Sequence, residues 1–228
     1  MIYVLWASRG RPAIFAEALK RWVRGCKNLD NVVWNFTFDQ DDTDFPFYKI
    51  PCELSHVRIE RIPSQGKIRA MTNWADRIPE SNTDFLVVAQ DDVIPCGEWD
   101  LKIVSALDQA KAVFLYQNDC QAFPNLNTQV ILRTKGLGLF HKARFYHHDY
   151  FSLFADNEYD LVTERSGLVY KTQESLLRHG WTNLTGFDAL HHRNSNKAVY
   201  ERDEKVFLRR KALGFPASSV LRELRIDE

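Results

Sequence analysis

Phe85-Leu86-Val87-Val88-Ala89-Gln90-Asp91-Asp92 is the stretch on which the fold turns. Its first five residues form a continuous apolar run bounded by polar residues, the pattern of a strand buried on both faces. A strand of that kind belongs in a parallel sheet covered by helices. It runs out into Gln90-Asp91-Asp92, so carboxylates stand at its C-terminal end. In open α/β sheets ligands bind along that edge, beside the point where the strand order reverses.

The flanking sequence fits this frame. Met1 to Ala7 reads as a first strand, followed by the turn Ser8-Arg9-Gly10-Arg11-Pro12, with Pro12 suited to the first turn of a helix. Ile14, Phe15, Ala18, Leu19 and Trp22 repeat at helical spacing, and Gly25 ends the helix. Val32 to Phe38 is a second strand that runs into Asp39-Gln40-Asp41-Asp42. Val57, Ile59 and Ile62 suggest a third. Ser64-Gln65-Gly66 opens a helix whose apolar stripe is Ile68, Met71, Ala75 and Ile78. Beyond the opening stretch, a helix is expected from Trp99 to Ala110 and a strand from Ala112 to Tyr116. Strands alternating with helices over the first ~120 residues predict βαβ units and a mostly parallel central sheet flanked by helices.

After Cys120 the pattern changes. No Asp or Glu occurs from Cys120 to His148, whereas Arg133, Lys135, Lys142 and Arg144 are joined by His141, His147 and His148. A helix is expected from about Phe154 to Arg165, a short strand at Leu168 to Tyr170, and a helical tail from Glu201 to Arg210. There is no internal repeat and no low-complexity linker. Residues 1–125 and 126–228 therefore read as two halves of one body with different roles, the first for a ligand at the sheet edge and the second for its partner.

Composition narrows the function. The 228 residues are 45% hydrophobic and 26% charged, as in a soluble globular enzyme, and 30 Lys+Arg balance 30 Asp+Glu. No global positive field calls for nucleic acid or an anionic membrane. The longest apolar run, Ile2 to Ala7, is far short of the ~20 residues that span a bilayer, and it lacks the flanks of a signal peptide. Cys26, Cys52, Cys96 and Cys120 are dispersed without a C-x-x-C pair, so neither a zinc site nor a disulfide framework is favoured and a cytoplasmic location is expected.

Asp91 and Asp92 are the sharpest chemical feature. Adjacent carboxylates repel unless they are solvated or neutralised, and a hard divalent ion such as Mg²⁺ or Mn²⁺ prefers oxygen ligands that it shares with substrate phosphates. The ordinary alternative is a solvated turn in which an Asp caps the next helix. Asp39, Asp41, Asp42 and Asp44 form a second cluster at a strand end, where one carboxylate can accept from a base N–H or a ribose hydroxyl. An Asp-rich surface turn is the plainer account of Asp44 and Asp42. His147-His148 and His191-His192 lack two-ligand helical spacing, which favours structural or surface roles.

The order of these motifs resembles the GT-A glycosyltransferases, and among them the family 2-like group. Leu5 to Pro12, then Asp39-Gln40-Asp41-Asp42, then Gly66-Lys67 with Ala70 and Asn73, then Asp91-Asp92 with Trp99-Asp100 carry the likeness, and it spans about residues 2 to 210. The resemblance implies a GT-A fold and transfer of a sugar from a nucleotide-diphosphate sugar to a hydroxyl. It assigns the nucleotide to Ser8, Arg9, Arg11, Asp39 and Asp41, with Asp39 reading a uracil base. Lys67 and Asn73 fall beside the donor sugar. A Mn²⁺ or Mg²⁺ ion on the diphosphate falls to Asp91, Asp92 and His179, with Asp91 also near the nucleotide. Phe154-Ala155-Asp156-Asn157-Glu158 is similar to the segment that opens the acceptor-side helix, which makes Asp156 the expected general base and Glu158 the reserve. Asp188 and Asp203 follow His179 in the family's closing segment. The acidic motif departs from the usual Asp-x-Asp, since Gln90 fills its first position, so the metal falls chiefly to Asp92.

The implied chemistry needs charge stabilisation on a departing diphosphate, a base for the acceptor hydroxyl, and in-line positioning between them. Base attack opposite the leaving group inverts the anomeric centre. Arg133, Lys135, Lys142 and Arg144 either screen the diphosphate or form a solvated basic face. The acceptor stays open, and a growing polysaccharide, a lipid-linked sugar or a protein side chain are the ordinary choices. Compact domains of this type also resemble phage glycosyltransferases, some of which modify hydroxymethylated bases in DNA, and this is the lesser option for a chain of zero net charge. Two other classes compete. A sugar-phosphate nucleotidyltransferase would show a Gly-rich basic loop after its first strand, of which Ser8-Arg9-Gly10-Arg11 is a poor version. A non-catalytic sugar-binding module would have no need of Asp91, Asp92 and Asp156.

Overall fold

β1 (Ile2–Ser8) lies at the centre of the molecule and buries six of its seven residues. A computed structural model of the chain describes residues 1–117, 125–140, 144–180 and 188–215; Cys120, His141, Lys142 and Trp181 fall outside them. β1 pairs in parallel with β2 (Val32–Asp39) on one side and β4 (Phe85–Ala89) on the other, and β3 (Val57–Ile62) extends the sheet beyond β2. Beyond β4 come β7 (Ile131–Arg133), β6 (Phe114–Tyr116) and β8 (Val169–Lys171), giving seven strands in the order β3-β2-β1-β4-β7-β6-β8. Only β7 runs antiparallel to its neighbours. It comes from the second half of the chain and lies between two strands of the first, so the halves share one sheet.

The unbroken apolar strands follow from cover on both faces. Ile2, Val4 and Trp6 of β1 join Phe85, Val87 and Ala89 of β4 in one core, while Tyr3, Leu5, Leu86 and Val88 point into a second. This is the two-residue period of a strand expressed toward two apolar layers. Helices α1 (Pro12–Gly25) and α3 (Trp99–Gln109) cover the first face with Phe15, Leu19, Trp22, Trp99 and Ile103. Helices α2 (Lys67–Thr72) and α4 (Ala155–Ser166) cover the second with Ile68, Met71, Tyr159 and Val162. Trp22 and Trp99 meet edge to face at 5.1 Å, and the Trp99 indole donates to the Trp22 carbonyl at 2.9 Å. Each buried side chain of this size adds ~1.5–3 kcal/mol by leaving water.

α2 is shorter than its apolar stripe predicts. The helix stops at Thr72 and the chain tightens into a 3-10 turn at Ala75–Arg77. The Thr72 hydroxyl donates back to the Ile68 carbonyl, while Asn73 and Arg77 are drawn to Glu60 on β3. Ile68, Met71, Ala75 and Ile78 are buried all the same. Four elements are not among those expected from the sequence: β7, the strands β5 (Val93–Pro95) and β9 (Leu177–His179) of an antiparallel ribbon, and α5 (Ala189–Ser195). The tail helix α6 (Lys197–Ala212) begins earlier than expected, capped by the Asn196 side chain on Val199 N–H. No helix among the described residues is long and apolar enough to cross a membrane.

Candidate active site

The C-terminal ends of β1, β2 and β4 open into a cavity of about 480 Å³. Its lining includes Ser8, Arg9, Arg11, Asp39, Lys67, Asp91, Asp92, Asp156 and His179, all singled out in the sequence. Asp41, Asn73 and Glu158 are not brought to it.

At the end of β4 the two carboxylates point different ways. Asp91 Oδ1 accepts from the Trp6 indole and Oδ2 from the Ser8 hydroxyl, both at 2.8 Å. Burial pushes its pKa up to about 6, against those two donors and with the help of the neighbouring Asp92 charge. Asp91 is thus a brace between β1 and β4 that still lines the cavity, an arrangement in keeping with an indirect role at a metal, through water. Asp92 Oδ2 lies 3.4 Å from His179 Nε2. Burial pushes the Asp92 pKa up, but the His179 contact, with Lys67 and Arg11, outweighs it and leaves it below the usual carboxylate value. The β5–β9 ribbon creates this meeting: Val93, next to Asp92, pairs with His179, and Gly180 N–H donates to the Asp92 carbonyl at 2.8 Å. His179 Nδ1 sits 3.1 Å from the Thr128 hydroxyl. Gln117 anchors the ribbon, its side-chain oxygen accepting from Leu176 N–H at 2.8 Å and Leu177 N–H at 2.6 Å.

Asp156 is the second residue of α4. The N-cap position belongs to Phe154; Asp156 lines the cavity while its Oδ1 accepts from Asn157 N–H at 3.0 Å. Burial raises its pKa, opposed by Lys67 and by the hydrogen bond from Asn157 N–H. Glu158 is two residues further on, about 200° round a 3.6-residue helix. It lies in the interior, gripped by Arg210 at 2.6 and 2.7 Å and accepting from Tyr150 OH at 2.7 Å. That ion pair excludes it as the reserve base. Asn73 faces β3 and donates to Glu60.

The nucleotide-side residues form an ionic cluster. Asp39 Oδ2 accepts from Arg9 at 2.8 Å, Ser64 at 3.1 Å and Arg193 at 3.4 Å. Arg9 also binds the exposed Asp41, which belongs to the rim. Asp42 organises its own turn by accepting from Gly10 and Asp44 N–H groups. Arg11 makes a two-pronged pair with Asp188, both contacts at 2.7 Å, and Asp188 also caps α5. His191 Nδ1 lies 2.9 Å from Arg11 and 3.0 Å from Asp188, the structural one of the two roles expected for it, and the residue also lines the cavity. Arg193 was missed. The N-cap pattern Asp188-Ala189-Leu190 was the signal for α5, but nothing local said that this helix crosses the ends of β1 and β2.

The basic stretch serves elsewhere. Arg133 is buried against Asp108 at 2.5 Å and the Ala112 carbonyl, Arg144 lies 3.8 Å from Asp76, and neither lines the cavity, nor does Lys135. Lys142 is outside the described residues. His147, His148 and Asp149 cluster closely enough for a cation, but Arg209 already neutralises Asp149 at 2.7 Å.

No protein-family model and no curated protein matches the sequence. Solved structures do resemble it. S. aureus TarS 1-349 in complex with UDP-GlcNAc superposes with a TM-score of 0.62 at 10% identity, over 98% of this chain and 75% of that one. The mannosyltransferase PcManGT from Pyrobaculum calidifontis, in complex with GDP-Man and Mn²⁺, gives 0.60 at 11% identity, over 97% and 78%. Against a longer TarS chain the TM-score is 0.58, and this chain spans 46% of its length. With its mostly parallel seven-stranded sheet and cavity at the strand ends, the chain has the GT-A fold of these glycosyltransferases.

Proposed function

We propose that the chain is a glycosyltransferase that moves a sugar from a UDP-sugar to an acceptor hydroxyl, inverting the anomeric centre with a divalent metal bound. The observation that carries this reading is Asp92 facing His179 in a cavity that also contains Lys67 and Asp156. A carboxylate oxygen and an imidazole nitrogen suit Mn²⁺ or Mg²⁺, with the remaining positions left for diphosphate oxygens and water. Bound there, the metal would supply charge stabilisation to the leaving diphosphate. Lys67 adds a positive charge on the same side. Asp156 takes the acceptor proton, and burial, which raises its pKa, makes the carboxylate a stronger base than an exposed one. Asp39 reads the base, while Arg9 and Arg11, each held by carboxylates, border the nucleotide. The neighbours that hold UDP-GlcNAc or GDP-Man with Mn²⁺ support a nucleotide-sugar donor. A saccharide acceptor and a cytoplasmic setting, the latter argued from the dispersed cysteines, complete the reading.

The nucleotidyltransferase alternative loses ground here. Arg9 and Arg11 are turned onto Asp39, Asp41 and Asp188 and do not form a phosphate cradle. The test is nucleotide release from a panel of UDP-, GDP- and ADP-sugars with Mn²⁺. A UDP-sugar should be the best donor, and EDTA or Asp92→Asn should abolish release. Asp156→Asn should cut turnover about 10²-fold while UDP affinity stays within about twofold. Preference for GDP-sugars overturns the assignment to Asp39; release that survives EDTA overturns the metal; and no release from any donor overturns the enzyme.

A further inference from the structure

Tyr200 lines the cavity and is nevertheless 47% exposed, an aromatic ring left open at the lip of the site. Beneath it lies Phe154, with ring centroids 5.1 Å apart at 65°, and Phe154 in turn stacks on Phe207 at 5.6 Å. Phe154 has φ 63°, ψ −7°, the left-handed region that bulky side chains rarely occupy, and its side chain makes no cap hydrogen bond. Strain of this kind persists only where the surroundings over-determine it. Here they do. Asp203, fully buried and one helical turn beyond Tyr200 on α6, accepts from the N–H groups of Phe151, Ser152 and Leu153 at 3.0, 2.8 and 2.8 Å. One helix thus carries the exposed ring and clamps the loop that sets Phe154 under it. Packing against Phe207 and the second core accounts for Phe154, but it leaves the Tyr200 ring half-exposed at the cavity.

We infer that Tyr200, braced by Phe154, is the platform for the acceptor, and that the acceptor is a saccharide whose pyranose ring lays its C–H face on the tyrosine. This rests on the transferase reading above and gives it a substrate class. Phe154, Asp156 and Tyr200 line one cavity, so a ring held on Tyr200 lies in the space that the base also faces. A nucleobase would also stack, but single-stranded nucleic acid requires a positively charged groove along its backbone. The cavity guanidiniums Arg9, Arg11 and Arg193 are all engaged by carboxylates, and the chain carries no net charge.

The test is saturation-transfer NMR and competition binding with methyl glycosides and short neutral oligosaccharides, run with and without UDP and Mn²⁺, beside a single-stranded oligonucleotide. The wild type should bind at least one glycoside through its axial C–H face. Tyr200→Ala should weaken that binding about tenfold, the scale of one stacked ring, and Tyr200→Trp should restore it. Tyr200→Leu keeps apolar bulk without a π face, so it should fail like the alanine variant; if it binds like the wild type, the platform is overturned. Glycoside binding unaffected by Tyr200→Ala, or oligonucleotide bound while no saccharide binds, also overturns it. Calorimetry with UDP on the wild type reads the donor site separately, and its failure overturns the transferase reading while the glycoside arm still decides the platform.

Discussion

Asp203→Ala tests the clamp on the acceptor-side loop. The carboxylate is fully buried and accepts three backbone N–H bonds, from Phe151, Ser152 and Leu153. A hydrogen bond to a charged group contributes about 1.5–3 kcal/mol, so three set an upper limit near 4.5–9 kcal/mol. The loop amides are only part-buried, and water entering the vacated space restores some of the loss. A net cost of about 3–5 kcal/mol follows, the range for stripping a buried charge network of one partner. For a chain of this length that lowers Tm by roughly 6–20 °C. Asp203→Asn keeps one acceptor oxygen but turns an NH₂ group toward backbone donors, and should lose about half as much. Urea denaturation followed by tryptophan fluorescence measures both. A loss below about 1 kcal/mol for the alanine variant would refute the reasoning, because the three N–H groups would then be satisfied without the carboxylate.

Other outcomes follow from the same geometry. Gly66 has φ 100°, and an added Cβ would sit 2.6 Å from Phe151 Cδ2 and 2.7 Å from its carbonyl oxygen, so Gly66→Ala should cost about 2–4 kcal/mol; a Tm within 2 °C of wild type contradicts this. Asp160 has its pKa pushed up to about 6 by burial and the nearby Glu164, and its buried Oδ1 has no hydrogen-bond partner among the described residues. The folded chain therefore binds this proton more tightly than the unfolded one, and the associated stability is full below pH ~4 and lost as pH rises through about 6. Asp160→Asn should raise stability by about 1–2 kcal/mol at pH 7.5, after discounting for partial exposure, and by little at pH 4; equal effects at both pH values refute the assignment. Asp188→Asn keeps the cap oxygen of α5 but weakens its pair with Arg11, so amide exchange at residues 189–195 should accelerate about tenfold or more, as read by mass spectrometry; unchanged protection means that Arg11 does not hold the helix.

Local signals made the donor half of the fold legible. Phe85 to Ala89 could be read as a doubly buried strand because both its faces meet apolar layers, and Pro12 with Gly25 marked the ends of α1 through backbone chemistry alone. β7 gave no such signal, because three residues between turns have no period to detect. α2 was overextended because an apolar stripe records burial, and a 3-10 turn buries the same residues as a helix. The cavity was legible where residues stand at strand ends, as for Ser8, Asp39 and Asp92. Glu158 and Asn73 misled because spacing in the chain does not fix the face of a helix: 200° of rotation carries Glu158 from the cavity to Arg210. The place of His191 and Arg193 in the cavity escaped because it depends on where α5 docks, and that is settled by ion pairs spanning 154 to 180 positions of the chain.

Phe151 shows why the two halves work as one site. Its carbonyl accepts from Ile68 N–H at the start of α2, next to Lys67; its N–H donates to Asp203 on α6; and its ring lies within 5.7 Å of the guanidiniums of Arg193 and Arg202. Gly66 is the one residue type that lets the α2 turn approach this ring so closely. The loop at residues 151–153 is therefore tied to the start of α2 by a main-chain hydrogen bond and to the Asp39 cluster through Arg193. Under the proposed function the same cluster bears on donor binding. Arg11 and Asp39 already hold α5 through Asp188 and Arg193, so a nucleotide taking these groups exchanges existing ion pairs for new ones and gains little from charge alone. Most of its affinity must come from contacts that have no protein partner to displace: the diphosphate with Lys67 and with a metal at Asp92 and His179. Under the proposed function, metal and diphosphate should accordingly bind as a unit, with each weak in the absence of the other.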